Sequence, residues 1–96
     1  MPYPTPDYSL VPPEMMTAHG ISKTMLNVYA LYAAQAAVNP RKEASFTGRQ
    51  MKEALNSPLE EGAFNLAVQS LCRLGWFTEL RRLNGKTPVV RVNEKP

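Results

Sequence analysis

The segment SPLEEGAFNLAVQSLCRLGWFTELRRLNGKTPVVRV, Ser57 to Val92, decides how the chain is read. Ser57-Pro58-Leu59-Glu60 has the form of a capping box, with a hydroxyl for an early helix amide, a carboxylate three residues on and proline at the favoured first position. It predicts a helix from Ser57 to Leu74. At 100° per residue, Leu59, Ala63, Leu66, Ala67, Ser70, Leu71 and Leu74 fall on one side, extended by Phe64 and Val68. Glu61, Asn65, Gln69 and Arg73 line the other. Gly75 stands where a left-handed C-cap is required, and Trp76-Phe77 opens a strand while filling core. Asn84-Gly85 signals a hairpin turn, after which Val89, Val90 and Val92 run back as a second strand. The loop length stays open. A two-residue loop pairs Pro88 with Arg81 at a hydrogen-bonded position that proline cannot serve, whereas about four residues would move Pro88 to a non-bonded pair.

Upstream, Thr47-Gly48-Arg49-Gln50 is another capping box and predicts a short helix to Leu55, with Met51, Ala54 and Leu55 as its buried edge and Asn56 as the tight turn that follows. A longer helix is expected from the N-cap Ser22 to Val38, stopped by Asn39-Pro40. Its apolar positions Ile21, Met25, Leu26, Tyr29, Tyr32, Ala33, Ala36 and Ala37 form a stripe that Val28 and Leu31 widen beyond what one neighbour covers. Such excess predicts burial against residues 1–20 or in a homodimer. Residues 1–20 read as an extended arm, because Pro2, Pro4, Pro6, Pro12 and Pro13 fix φ and remove donors, while Tyr3, Tyr8, Leu10, Val11, Met15 and Met16 are apolar enough to pack. Residues 21–93 form the expected domain and 94–96 a tail.

Ninety-six residues with 44% hydrophobic and 20% charged side chains fit one small globular domain. The chain has no apolar run long enough for a bilayer and no secretory leader pattern, so a cytoplasmic protein is expected. Cys72 is the single cysteine and His19 the single histidine, which excludes an internal disulfide and a His/Cys metal cluster. Neither lies beside a partner suited to nucleophilic catalysis, so no enzyme and no cofactor are expected. The net charge of +3 is uneven: Asp7, Glu14 and Lys23 give residues 1–40 a charge of −1, leaving +4 for residues 41–96.

The run Phe46-Thr47-Gly48-Arg49-Gln50-Met51-Lys52-Glu53-Ala54-Leu55, the turn, the helix ending Leu71-Cys72-Arg73-Leu74-Gly75-Trp76-Phe77 and the hairpin Arg81-Arg82-Leu83-Asn84-Gly85-Lys86 together resemble the winged helix-turn-helix family. More loosely, the extended entry Tyr8-Ser9-Leu10-Val11-Pro12-Pro13 is similar to that of helix-turn-helix domains of phage and plasmid replication proteins. The resemblance implies a mainly α fold of three helices with a C-terminal β-hairpin wing, and a double-stranded DNA-binding regulator of transcription or replication. The third of those helices would lie in the major groove. Asn65 and Gln69, whose amides suit adenine, and Glu61, which can accept from cytosine, would be its base contacts. Arg81, Arg82, Lys86 and Arg91 would be the wing's phosphate contacts, joined by Arg49, Lys52, Ser57 and Arg73, with Arg41 and Lys42 further candidates. Glu60 and Glu61 oppose phosphate, although the helix dipole favours both. Together with the modest charge they point to a competing expectation, a protein-interaction adaptor built on the same fold.

Overall fold

A computed structural model describes residues 3–96. A 3-10 turn at Tyr8–Leu10 leads into α1 (Pro13–Thr17), α2 (Lys23–Val38), β1 (Glu43–Ala44), α3 (Gly48–Leu55), α4 (Glu61–Arg73), β2 (Phe77–Leu83) and β3 (Thr87–Val92). The strands form one antiparallel sheet in the order β1-β3-β2. The fold is therefore helices packed with a small three-stranded sheet, rather than helices with a hairpin alone.

Local chemistry sets the ends of most elements. The Ser22 hydroxyl accepts from the Met25 amide at 3.2 Å and starts α2. At α3 the Thr47 hydroxyl accepts from the Gln50 amide at 3.1 Å while the Gln50 carboxamide accepts from the Thr47 amide at 2.8 Å, closing the predicted box. Asn56 ends α3 in the left-handed region with φ of 48°. Beyond α4, Gly75 adopts φ of 88°, and the amides of Gly75 and Trp76 donate back to the Cys72 and Leu71 carbonyls. That double closure satisfies carbonyls that α4 would otherwise leave unpaired and delivers Trp76 and Phe77 to the core.

The start of α4 differs from expectation. Ser57 does not cap it: its hydroxyl accepts from the Leu59 amide at 3.1 Å, and the helix begins at Glu61 with Glu60 as an N-cap that makes no side-chain hydrogen bond. The Lys52 ammonium donates to the carbonyl oxygens of Ser57 at 3.2 Å and Leu59 at 2.6 Å, which holds residues 57–59 as a turn. A tertiary contact thus outcompetes a local capping pattern. The buried stripe of α4 is Phe64, Ala67, Val68 and Leu71, and Leu66, expected inside, is 62% exposed. Leu59 and Leu74 are exposed as well.

The core is organised around α2. Tyr29 stacks on Phe77 with centroids 5.7 Å apart and meets Trp76 edge-on at 6.2 Å, and Tyr32 packs between Phe46 at 5.0 Å and Phe77 at 4.9 Å. Both phenols are satisfied, Tyr29 by the Asn93 carbonyl and Tyr32 by the Phe46 carbonyl. The arm is less extended than its prolines predict, because Pro13 occupies the first position of α1, where a missing amide costs nothing. Pro2 lies outside the described residues. Val11 and Met15 enter the core, and the Asp7 amide donates to the Ala30 carbonyl of α2. Val28 and Leu31, which widen the apolar stripe of α2, are fully buried within one chain.

The hairpin loop holds three residues, Asn84, Gly85 and Lys86, with Leu83 opposite Thr87 and Pro88 opposite Arg82. Neither loop length expected from sequence is realised. Asn84 and Gly85 have φ of 52° and 71°, and the Lys86 amide closes on the Leu83 carbonyl at 3.0 Å. The Pro88 carbonyl accepts from the Ser45 hydroxyl at 3.1 Å, on the β1 side. In an antiparallel strand the amide position of the same residue points that way too, so the ring interrupts no bond to β2. A bulge at Leu80 shifts the register between Glu79 and Arg81.

Candidate nucleic-acid interface

Helix α4 presents Asn65 and Gln69 to solvent, four residues apart and on one helical face. The hairpin rises beside them, because Gly75 redirects the chain immediately after the helix. Between the two lies an open groove of about 500 Å³, lined by Asn65, Gln69 and Cys72 from α4 and by Glu79, Arg82 and Lys86 from the hairpin. Its floor includes Gly48 at the start of α3. A Cβ on Gly48 would stand 2.8 Å from the Glu61 carbonyl oxygen and 3.1 Å from the Asn65 amide nitrogen, so the glycine is what lets α3 and α4 approach. Neither the Asn65 nor the Gln69 carboxamide has a hydrogen-bond partner among the described residues, and both are exposed.

The basic residues named from sequence divide between different surfaces. Arg82 and Lys86 line the groove. The Arg82 guanidinium is held by Glu79 at 3.0 Å and donates to the Lys86 carbonyl at 3.3 Å. Arg81 instead pairs with Glu43 of β1 at 2.9 Å and borders a different cleft with Gln35 and Asn39. Arg91 lies apart from the wing tip: with Arg41 and Lys42 it lines a cleft of about 510 Å³ between α2 and β3, floored by Ala33, Ala36 and Ala37. Arg49 pairs with Glu53 at 3.2 Å, and Glu53 also accepts from the Tyr3 hydroxyl. Arg73, in the last turn of α4, is exposed with its guanidinium 3.5 Å from the Ser70 hydroxyl. Lys52 and Ser57 are occupied in the turn before α4 and serve structure there. Glu61 is exposed in the first turn, where the positive end of the helix dipole favours its charge.

Exposed pairs such as Arg49–Glu53 and Arg82–Glu79 are worth about 0–1 kcal/mol each, so a phosphate can displace the carboxylate at small cost. The Cys72 thiol at the groove is pushed up by burial and then by Glu79, with Arg82 opposing, and it stays protonated near neutral pH. Among the described residues no three His, Cys, Asp or Glu side chains could together hold a metal ion, and no helix is long and apolar enough to cross a membrane.

Sequence reading missed Gly48 and Leu66. A glycine directly after an N-cap, with no need for positive φ, was the available sign of close approach at Gly48. For Leu66 the signal was ambiguous, because it falls at one border of an apolar stripe that the core uses only on the other. Comparison of the chain with family models, curated proteins and solved structures gave no match.

Proposed function

We propose that the chain is a cytoplasmic winged helix domain that binds double-stranded DNA and regulates transcription or replication by occupying its site. The observation that carries this reading is the shared groove, in which two free carboxamides of α4 face two cations of the hairpin. The element order supports it: a helix, a short strand, two helices joined by the connection at residues 56–60, then a hairpin whose second strand lies between the other two. In this arrangement α4 enters the major groove and the hairpin follows the adjacent backbone, with Lys86 and Arg82 on phosphates and Asn65 and Gln69 at base edges.

A second reading is favoured by one observation. Arg49, Arg81 and Arg82 are each paired with a glutamate, which reduces the positive field expected of a nucleic-acid surface. The same fold would then act as a protein-interaction adaptor. Binding of the purified protein to random double-stranded DNA over a salt series separates the two. The DNA reading expects micromolar or tighter binding that weakens steeply with salt. An absence of binding at low salt transfers the function to the adaptor.

A further inference from the structure

The solvent face of α4 carries Gly62, Asn65, Leu66, Gln69 and Arg73. Its chemistry is selective. From Glu61 to Cys72 the helix has no lysine or arginine, so the side chains that most often read guanine are missing from its first three turns. The polar groups present instead are two carboxamides, which match the N6 and N7 edge of adenine. Beside them stands Leu66, adjacent in sequence to Asn65 and one turn before Gln69, with 62% of its surface exposed.

Gly62 adds an independent observation. Glycine in a helix costs stability relative to alanine, and at this position nothing in the chain requires it: a Cβ built there meets no atom within 4 Å, and its φ is not in the left-handed region. Gly62 lies one turn before Leu66 on the same face. A position that is bare without internal cause, next to an exposed leucine and free carboxamides, suits close approach of an external surface.

We infer that this face of α4 reads A·T base pairs, with Leu66 packed on a thymine methyl, Asn65 or Gln69 on the adenine edge and Gly62 admitting the DNA close to the helix. An A·T pair displays the adenine N7 and N6, the thymine O4 and then the thymine methyl along one edge of the major groove, so an amide and an isobutyl group one residue apart on the helix match one pair or two neighbouring ones. The inference rests on the DNA-binding reading and adds base preference to it. The guanine-reading type on this face is confined to Arg73 in the last turn, two turns beyond Asn65 and one beyond Gln69, and cytosine has only Glu61 at the edge.

The test uses duplexes of equal length made of alternating dA-dT, alternating dA-dU and alternating dG-dC, with affinity measured by fluorescence anisotropy at one salt concentration. Uracil keeps every hydrogen-bonding group of thymine and lacks only the methyl. Wild type is expected to bind dA-dT more tightly than dG-dC, and to lose roughly fourfold on dA-dU, the equivalent of one buried methyl-sized group. Leu66→Ala, at an exposed site that keeps the fold, should bind dA-dT and dA-dU equally. Gly62→Ala should weaken binding to all three duplexes while raising the thermal midpoint. Equal wild-type affinity for dA-dT and dA-dU, or an unchanged ratio in Leu66→Ala, overturns the Leu66 assignment and leaves DNA binding in place. Tighter binding to dG-dC overturns the A·T preference. Absence of binding to any duplex overturns this inference together with the function on which it rests. Loss of self-association in Leu66→Ala with no change in the duplex ratio assigns the face to a second copy of the chain and also overturns it.

Discussion

The Lys52 ammonium donates to the Leu59 carbonyl oxygen at 2.6 Å, and so a cation expected at a phosphate is engaged in the turn that precedes α4. A charge-assisted bond of this kind contributes about 1.5–3 kcal/mol when its partner would otherwise lose it. Lys52→Met keeps the aliphatic stem and removes the donor. Urea unfolding should then show a stability loss of about 1–3 kcal/mol. A phosphate-contacting Lys52 would give the opposite pattern, with unchanged stability and a shallower salt dependence of DNA binding.

Gly48 and Gly62 make a matched pair for a second prediction. A methyl on Gly48 meets the Glu61 carbonyl oxygen at 2.8 Å, and because that oxygen belongs to backbone, α3 and α4 must separate. Gly48→Ala is expected to cost about 1–3 kcal/mol, as overpacking does elsewhere. Gly62→Ala enters open space and should stabilise by up to about 1 kcal/mol through helix propensity. Thermal midpoints of the two variants should move in opposite directions, and a shared direction would refute the account of α3–α4 approach.

How far these contacts could be read from sequence depends on their range. The Ser22 and Thr47 caps, the Gly75 exit and the Asn84-Gly85 turn are each determined within a few residues and were legible. β1 was not. Its two residues are a strand only because Glu43 and Ala44 lie opposite Arg91 and Val90, far along the chain. The start of α4 misled for a related reason, since the Ser57-Pro58-Leu59-Glu60 pattern is valid locally but Lys52 claims its carbonyls. At the candidate interface, residue types could be assigned but faces could not. Arg81 and Arg82 are neighbours in sequence and point to opposite sides of the hairpin, one to Glu43 and the other to the groove.

The arm supplies a third prediction. Met15, one of the arm residues expected from sequence to pack, is fully buried in the common core. Met15→Ala should cost about 2–5 kcal/mol, the range for truncating a large buried aliphatic side chain. A loss below about 0.5 kcal/mol by urea unfolding, which is typical of surface sites, would place the arm outside the cooperative unit.

Alkaline pH gives a fourth. Burial, reinforced by Glu94, pushes the Tyr29 phenol up to about 12 from its ordinary value of 10.0, and burial raises Tyr32 further in the same direction. The folded state thus holds the neutral phenol more strongly than the unfolded chain does. That stabilisation is fully present below pH 10 and is lost as pH rises from there through about 12. Urea midpoints should fall over this window, and Tyr29→Phe should fall less steeply across it. Tyr29→Phe should also be less stable at neutral pH, because the Asn93 carbonyl loses its 2.6 Å donor.

The last prediction concerns the hairpin's charges, which differ in what already holds them. Lys86 lines the groove and has no carboxylate partner among the described residues, Arg82 is shared with Glu79, and Arg81 is tied to Glu43 away from the groove. If the hairpin tracks phosphates, Lys86→Ala should reduce the slope of log K against log salt by about 0.9, the value for one B-DNA phosphate. Arg81→Ala should leave that slope unchanged. Glu79→Gln releases Arg82 from its internal ion pair, removes a negative charge from the groove, and should tighten binding to every sequence alike. The three variants together separate a directed contact from a general effect of net charge. Net charge alone makes Lys86→Ala and Arg81→Ala equivalent, because each removes one positive charge, whereas the groove geometry makes them different.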